Sequence, residues 1–166
     1  MSGIKTVGII GAGQMGNGIA HVCALAGYDV VLNDISDDAL AAGLKTIERN
    51  MTRQLSRELI SKDEMESALK RIVTASSMDP LGQVDMAIEA ATENREVKEA
   101  IFRSLVKVVP EHAILATNTS SISVTRLASV TDRPEQFIGL HFMNPCLLYT
   151  SPSPRDQRGS RMPSSA

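Results

Sequence analysis

Two stretches of this 166-residue chain hold residue types that can do chemistry, at spacings the chemistry requires. The first is GAGQMG at 11–16. Gly11 permits a tight turn, Gly13 lets a pyrophosphate approach the backbone, and Gly16 lets a helix pack closely on the preceding strand. Gln14 and Met15 then open a helix whose unpaired N–H groups and partial positive charge suit a phosphate. The second is a set of polar residues in ATNTSSIS (116–123) and HFMNP (141–145). A histidine has a reference pKa of about 6.5, so His141 can act as a neutral base near pH 7. Removing a hydroxyl proton this way contributes about a hundred- to ten-thousand-fold. Ser120 and Asn144 could hydrogen-bond the reacting oxygen, and Asn118 could support the ring end of a cofactor or its own loop.

Asp34 sharpens the reading of the glycine loop. It closes the second strand, eighteen residues after Gly16, near the interval of about twenty at which a carboxylate meets a ribose. A carboxylate there accepts from both ribose hydroxyls and repels a 2′-phosphate, which favours NAD over NADP. Plainer readings stand beside these. Asp34 can cap the following loop, His141 can be a satisfied structural residue, Ser120 or Ser121 can cap a short helix near Val124, and Asn144 can form a turn before Pro145. His21 and His112 have no convergent partner in the sequence.

The elements that must position these residues follow from hydrophobic period. IKTVGIIGAG is a near-continuous apolar run, as in a strand covered on both faces. QMGNGIAHVCALAG has helical composition and closes on Gly27. YDVVLNDIS is a second short strand, completing a βαβ unit in about thirty residues. Ser36 is a candidate N-cap for a long helix, with Asp37 and Asp38 suited to its positive end. Leu40, Leu44, Ile47, Met51 and Leu55 give that helix one apolar face. SKDE at 61–64 is a capping box for a helix through about Lys70. RIVTAS and VDMAIEAA read as strands on either side of a DPLG turn. ENREVKEAIFRSLVKVV reads as a helix stopped by Pro110. AILATN and FIGLHF are the last two strands, separated by a short helix around 124–129. Strands alternating with helices predict an α/β fold, a Rossmann-type, doubly wound, mostly parallel sheet, with ligands at the carboxyl ends of the strands.

Composition excludes several classes. Net charge is -2, which gives no electrostatic argument for nucleic acid or an anionic membrane. There is no charged-then-apolar leader and no apolar run long enough to span a bilayer, so the cytoplasm is the expected location. Cys23 and Cys146 make neither a disulfide framework nor a metal cluster, and no metal is expected.

Four ordered motifs, VGIIGAGQMGNGIA, ENREVKEAIF, TNTSSISVTRLA and IGLHFMNP, make residues 3–145 resemble the N-terminal domain of the 3-hydroxyacyl-CoA dehydrogenases, especially their bacterial 3-hydroxybutyryl-CoA branch. The resemblance implies NAD-dependent oxidation of an L-3-hydroxyacyl-CoA to the 3-ketoacyl-CoA, or the reverse, in fatty-acid and butanoate metabolism. It puts His141 at the catalytic base position, Ser120 against the reacting oxygen and Asn144 in support. It gives Glu93 and Lys98 contacts near the nicotinamide ribose. The helix pair from Ser36 to about Lys70 resembles an arm that helps hold coenzyme A, with Arg53, Arg57 and Lys62 as basic candidates or simply a solvated face. Acyl-CoA is the implied partner, with homodimerisation through a C-terminal helical domain. A dehydrogenase of another small 3-hydroxy acid, such as a sugar acid, and an NAD-binding module without chemistry are the alternatives.

After Pro145 the apolar period stops. Residues 146–166 hold three prolines, five serines, three arginines and one aspartate; without them 14 basic face 18 acidic side chains. Such composition suits a disordered linker. CLLYTSPSPRD, however, resembles a transposase-end sequencing adapter translated in frame, and SRMPSSA its flank. Residues 1–145 are therefore taken as the NAD-binding domain and 146–166 as a non-native tail, set aside from fold reasoning. Family members continue from HFMNP to a glutamate that pairs with the histidine, so this chain alone is expected to bind NAD and to turn over little substrate.

Overall fold

The computed structural model describes residues 3–142; Asn144 and the 146–166 stretch lie outside the described residues. β1 (Thr6–Ile10) runs through the glycine hairpin into α1 (Gln14–Leu25), and β2 (Asp29–Asn33) completes the first crossover. α2 (Asp37–Ser56), α3 (Lys62–Lys70) and β3 (Ile72–Ala75) follow. A 3₁₀ turn at Asp79–Gln83 leads to β4 (Met86–Glu89), α4 (Arg95–Leu105) and β5 (Ile114–Thr117). α5 (Val124–Ala128), a second 3₁₀ turn at Pro134–Gln136 and β6 (Phe137–Gly139) complete the described chain.

The six strands form one sheet in the order β3-β2-β1-β4-β5-β6, and every neighbouring pair is parallel. Connections leave β1 and β4, the two central strands, towards opposite edges of the sheet. That reversal opens a crevice at their carboxyl ends, where ligands of such sheets collect. Pairing register carries Ile10 beside Glu89 and Glu89 beside Thr117, so the last residues of β1, β4 and β5 lie in one row.

Strand alternation divides the apolar residues between two cores. Ile9, Ile88 and Ala116 face one layer, packed with Ile19, Ile47 and Met51 from α1 and α2. Ile10, Ala87 and Leu115 face the other, packed with Phe102 and Leu105 of α4 and Leu127 of α5. Burial on both faces explains why these strands read as apolar runs rather than as a half-buried alternation. Phe102 meets Phe137 edge to face at 4.7 Å, tying α4 to the last strand.

The caps form as the sequence predicts. Ser36 Oγ accepts from Ala39 N–H at the start of α2, and Ser61 and Glu64 exchange both bonds of a capping box at the start of α3. Two details differ. α4 ends at Leu105, five residues before Pro110, and the chain turns through Val106, Val108 and Val109 instead. Their β-branched side chains fit a helix poorly, and Pro110 disfavours helical geometry at the residue before it. The cap of α5 is Ser123, whose Oγ accepts from Arg126 N–H, so neither Ser120 nor Ser121 serves that end.

Candidate active site

The glycine hairpin sits where β1 hands over to α1, and its three glycines do three different jobs. Gly11 has φ +104, a backbone shape that side chains rarely adopt, and a Cβ there would lie 2.7 Å from the Ala90 carbonyl oxygen. Gly16 is closed from inside the loop: a Cβ would fall 1.7 Å from the Gly11 carbonyl oxygen, with Ile9 of the strand only at 3.6 Å. Its task is thus to let the helix fold back on the hairpin more than on the strand. Gly13 is the opposite case, for a Cβ there would meet nothing within 4 Å. It is the N-cap of α1 with no side chain capping the helix, and no acidic residue occupies the first turn. The amides of Gln14 and Met15 therefore open onto free space, the arrangement a phosphate fits.

Asp34 ties this hairpin to the second strand. Its Oδ2 accepts from Ala12 N–H at 2.8 Å and its Oδ1 from Ser36 N–H at 3.0 Å. The loop-capping role and the ribose role are thus compatible. Two amides hold the carboxylate rigid at the rim, and its remaining lone pairs are available to a diol.

Gly13, Gln14 and Met15 line one wall of an open cleft of about 300 Å³; Glu93, Lys98 and Asn118 line the facing wall. Beneath that wall lies a residue the sequence reading passed over. Glu89 is fully buried and ends β4. Its carboxylate accepts from Lys98 Nζ at 2.8 and 2.6 Å, from Thr117 Oγ1 at 2.9 Å and from Ala91 N–H at 2.8 Å. Lys98, 1% exposed, is held against it as a buried ion pair. The signal was a single acid inside the apolar run MAIE, since a charge is buried only when paired.

Glu93 precedes α4, which Asn94 caps, and so can reach across to the next loop. It accepts from Thr119 Oγ1 at 2.7 Å and from Ser121 Oγ at 2.8 Å. The Thr119 hydroxyl, then Ser121 and the Lys98 ammonium, hold its carboxyl below the usual range against the opposing effect of desolvation. The serine that binds Glu93 is Ser121; Ser120 is exposed beside it.

His141 follows β6 and stands exposed, with Nδ1 3.2 Å from the Asn118 carbonyl oxygen. A carbonyl only accepts, so Nδ1 is the donor in this bond. Asn118 also uses its side chain, Oδ1 accepting from Phe142 N–H at 2.7 Å. One residue therefore lines the cleft, meets the imidazole through its carbonyl and holds the backbone of the next residue through its side chain.

The other candidates lie elsewhere. His21 is buried between α1 and α2, bonded through Nε2 to Gln54. His112 sits 3.4 Å from Asp85. Cys23 is half-buried, its thiol pushed up to about 11 by burial, which makes it a poor nucleophile. Arg53, Arg57 and Lys62 are exposed on the helical arm, Lys62 paired with Glu66 at 3.7 Å. Among the described residues, no group of three or more His, Cys, Asp or Glu could hold a metal, and no helix is long and apolar enough to cross a membrane.

An all-parallel sheet in this order, with a bare helix N-terminus behind a glycine hairpin and an acid at the end of β2, defines a Rossmann-type dinucleotide-binding domain. Residues 6–150 match the family described as 3-hydroxyacyl-CoA dehydrogenase, NAD binding domain, and the chain belongs to that family. It is 58% identical over 142 residues to the 3-hydroxybutyryl-CoA dehydrogenase of Bradyrhizobium diazoefficiens, covering 86% of this chain and 48% of that protein. It is 41% identical over 145 residues to the 3-hydroxyadipyl-CoA dehydrogenase of Escherichia coli K12, covering 87% of this chain and 30% of that one. The crystal structure of (S)-3-hydroxybutyryl-CoA dehydrogenase from Ralstonia eutropha superposes with a TM-score of 0.85 at 48% identity, over 87% of this chain and 51% of that chain. The chain thus spans about half the length of these 3-hydroxybutyryl-CoA relatives.

Proposed function

We propose that this chain supplies the cofactor cleft and the catalytic histidine of an NAD-dependent dehydrogenase that interconverts an L-3-hydroxyacyl-CoA and its 3-ketoacyl-CoA, with a short acyl chain such as 3-hydroxybutyryl. The observation that supports the reading is Asn118, which lines the dinucleotide cleft and accepts a hydrogen bond from His141 Nδ1. The names of the relatives support the acyl-CoA substrate.

In this reading each residue takes one role. Gly11, Gly13 and Gly16 shape the hairpin, and the amides of Gln14 and Met15 take the pyrophosphate. Asp34 takes the adenosine ribose. Glu93 and Lys98 meet the nicotinamide ribose on the opposite wall. The bound nicotinamide supplies a hydride acceptor for the carbinol carbon. His141 receives the hydroxyl proton at Nε2 as that carbon is oxidised and returns it in the reverse direction. Ser120, and Asn144 from outside the described residues, hold the substrate oxygen. A homodimer and a cytoplasmic location belong to the same proposal.

The test is calorimetric titration of the purified chain with NAD⁺ and NADP⁺. Saturable NAD⁺ binding is expected, with NADP⁺ at least about tenfold weaker because Asp34 opposes a 2′-phosphate. Absence of saturable NAD⁺ binding on material with intact circular dichroism overturns the proposal. For the chemistry, NADH appearance at 340 nm with 3-hydroxybutyryl-CoA should disappear in His141→Gln wherever the unsubstituted protein shows it. A panel of small 3-hydroxy acids without coenzyme A should give no signal.

A further inference from the structure

The buried Glu89 is not needed to touch the cofactor, yet it stands directly under the cleft wall. It accepts four hydrogen bonds from three groups, and two of those contacts come from Lys98, a residue of that wall. With Asp34 fixing the adenosine half over β2, the second nucleotide half of the fold, over β4 and β5, takes the nicotinamide. Three formal charges lie at that end: Glu89 and Glu93 negative, Lys98 positive, one net negative charge. The oxidised nicotinamide ring is a cation and the reduced ring is neutral, so fixed charge here acts on the two redox forms unequally.

We propose that Glu89 is a positioning residue whose charge, set against Lys98, biases the cleft towards the oxidised dinucleotide. It works through Lys98: the ammonium is pinned to the floor and its charge is cancelled there, leaving Glu93 to face the cationic ring. The bound state therefore does not penalise NAD⁺, which matters to an enzyme that must bind the oxidised form to remove a hydride. This inference rests on the NAD reading above.

Glu89→Gln keeps the shape and removes one negative charge. A unit charge about 10 Å from the ring, at an effective dielectric of about 20 to 40, is worth a change of about fourfold to fifteenfold in an equilibrium constant. The experiment is calorimetric titration with NAD⁺ and with NADH at one ionic strength, with thermal melts as a fold check. Glu89→Gln is expected to shift the ratio of the two dissociation constants towards NADH by that factor. Glu89→Gln/Lys98→Met removes one charge of each sign. Both affinities should weaken, while their ratio returns to within about twofold of the unsubstituted chain. If Glu89→Gln alone does not fold, the double variant and Glu93→Gln decide. Glu93 is exposed and removable, and its loss must move the ratio in the same direction as Glu89→Gln, while the double variant must leave it in place.

A Glu89→Gln protein that loses affinity for both forms equally shows a purely structural residue and overturns the proposal, as does a double variant with a displaced ratio. Binding of neither form to the unsubstituted chain overturns the NAD reading and this inference together. Normal binding with an unmoved ratio overturns this inference alone.

Discussion

The two glycines at either end of the hairpin's cofactor face should separate folding from binding. At Gly13 the backbone is extended, with φ −64 and ψ −169, which alanine adopts without strain, and the added methyl meets no protein atom within 4 Å. Gly13→Ala should therefore cost only the difference between glycine and alanine as an N-cap, about 0.5–1 kcal/mol. In a domain of this size that lowers the melting temperature by about 1–4 °C. The methyl does, however, stand on the stretch of cleft wall formed by Gly13 with Gln14 and Met15, whose amides take the phosphate in the reading above. Displacing a phosphate from one such bond forfeits about 1.5–3 kcal/mol, so NAD⁺ affinity should fall about tenfold to a hundredfold. At Gly16 the order reverses. The methyl would lie 1.7 Å from the Gly11 carbonyl oxygen, and both are backbone-fixed, so no rotamer relieves the overlap. Gly16→Ala should cost about 3 kcal/mol or more, the upper end for overpacking. Urea melts and NAD⁺ titrations on both variants decide the matter. A Gly13→Ala chain that binds NAD⁺ as well as the unsubstituted chain would refute the placement of the pyrophosphate, whatever its stability.

Three further outcomes follow from the geometry. Burial holds His21 below its ordinary value of 6.5, an effect only partly offset by Gln54, so the folded chain keeps it neutral while the unfolded chain takes up a proton. Stability should therefore fall as pH drops below about 6.5, and His21→Gln should flatten that part of a melting-temperature profile between pH 7.5 and 5.5. Asp34→Ala frees the amides of Ala12 and Ser36; it should cost about 1–3 kcal/mol in urea unfolding and weaken NAD⁺ binding, and an unchanged melt would show that neither bond matters. Asn118→Ala removes the tether on Phe142 but leaves its own carbonyl. Nitrogen chemical shifts of His141 should show a proton fixed on Nδ1 in the unsubstituted chain and a mixture of tautomers in the variant.

Much of the fold is legible because its signals are local. Glycine hairpin, apolar strands and serine caps each depend on residues within one turn or one strand, and each element lies where its own stretch of sequence indicates. The end of α4 is not marked by Pro110 alone, because the valines before it already end the helix. The site was legible where a motif carries its own geometry, as GAGQMG does. It was not legible where the geometry comes from strand register. Glu89 lies nine residues before Lys98 and 28 before Thr117; the pairing of β4 with β5 sets Thr117 beside it, and Lys98 reaches it from α4. The clamp of Glu93 by Thr119 and Ser121 is hidden in the same way, because two separate loops must meet before the hydroxyls find their acceptor.

The same register explains why one polypeptide segment can serve both halves of the chemistry. Asn118 follows β5 directly, and its N–H bonds the Glu89 carbonyl oxygen at 2.9 Å, so its backbone is fixed to the floor of the cofactor cleft. Leu140 N–H bonds Thr117 at 2.9 Å, which sets the exit of β6 against the same point. His141 is thus positioned relative to β5, not to its own loop, and Glu89, Thr117, Asn118 and His141 form one hydrogen-bonded series from the buried ion pair to the exposed imidazole. A disturbance at the Glu89 end should move the base as well as the cofactor wall. A disturbance on the exposed face of α2 and α3, which contributes nothing to that series, should leave the His141 tautomer where it is.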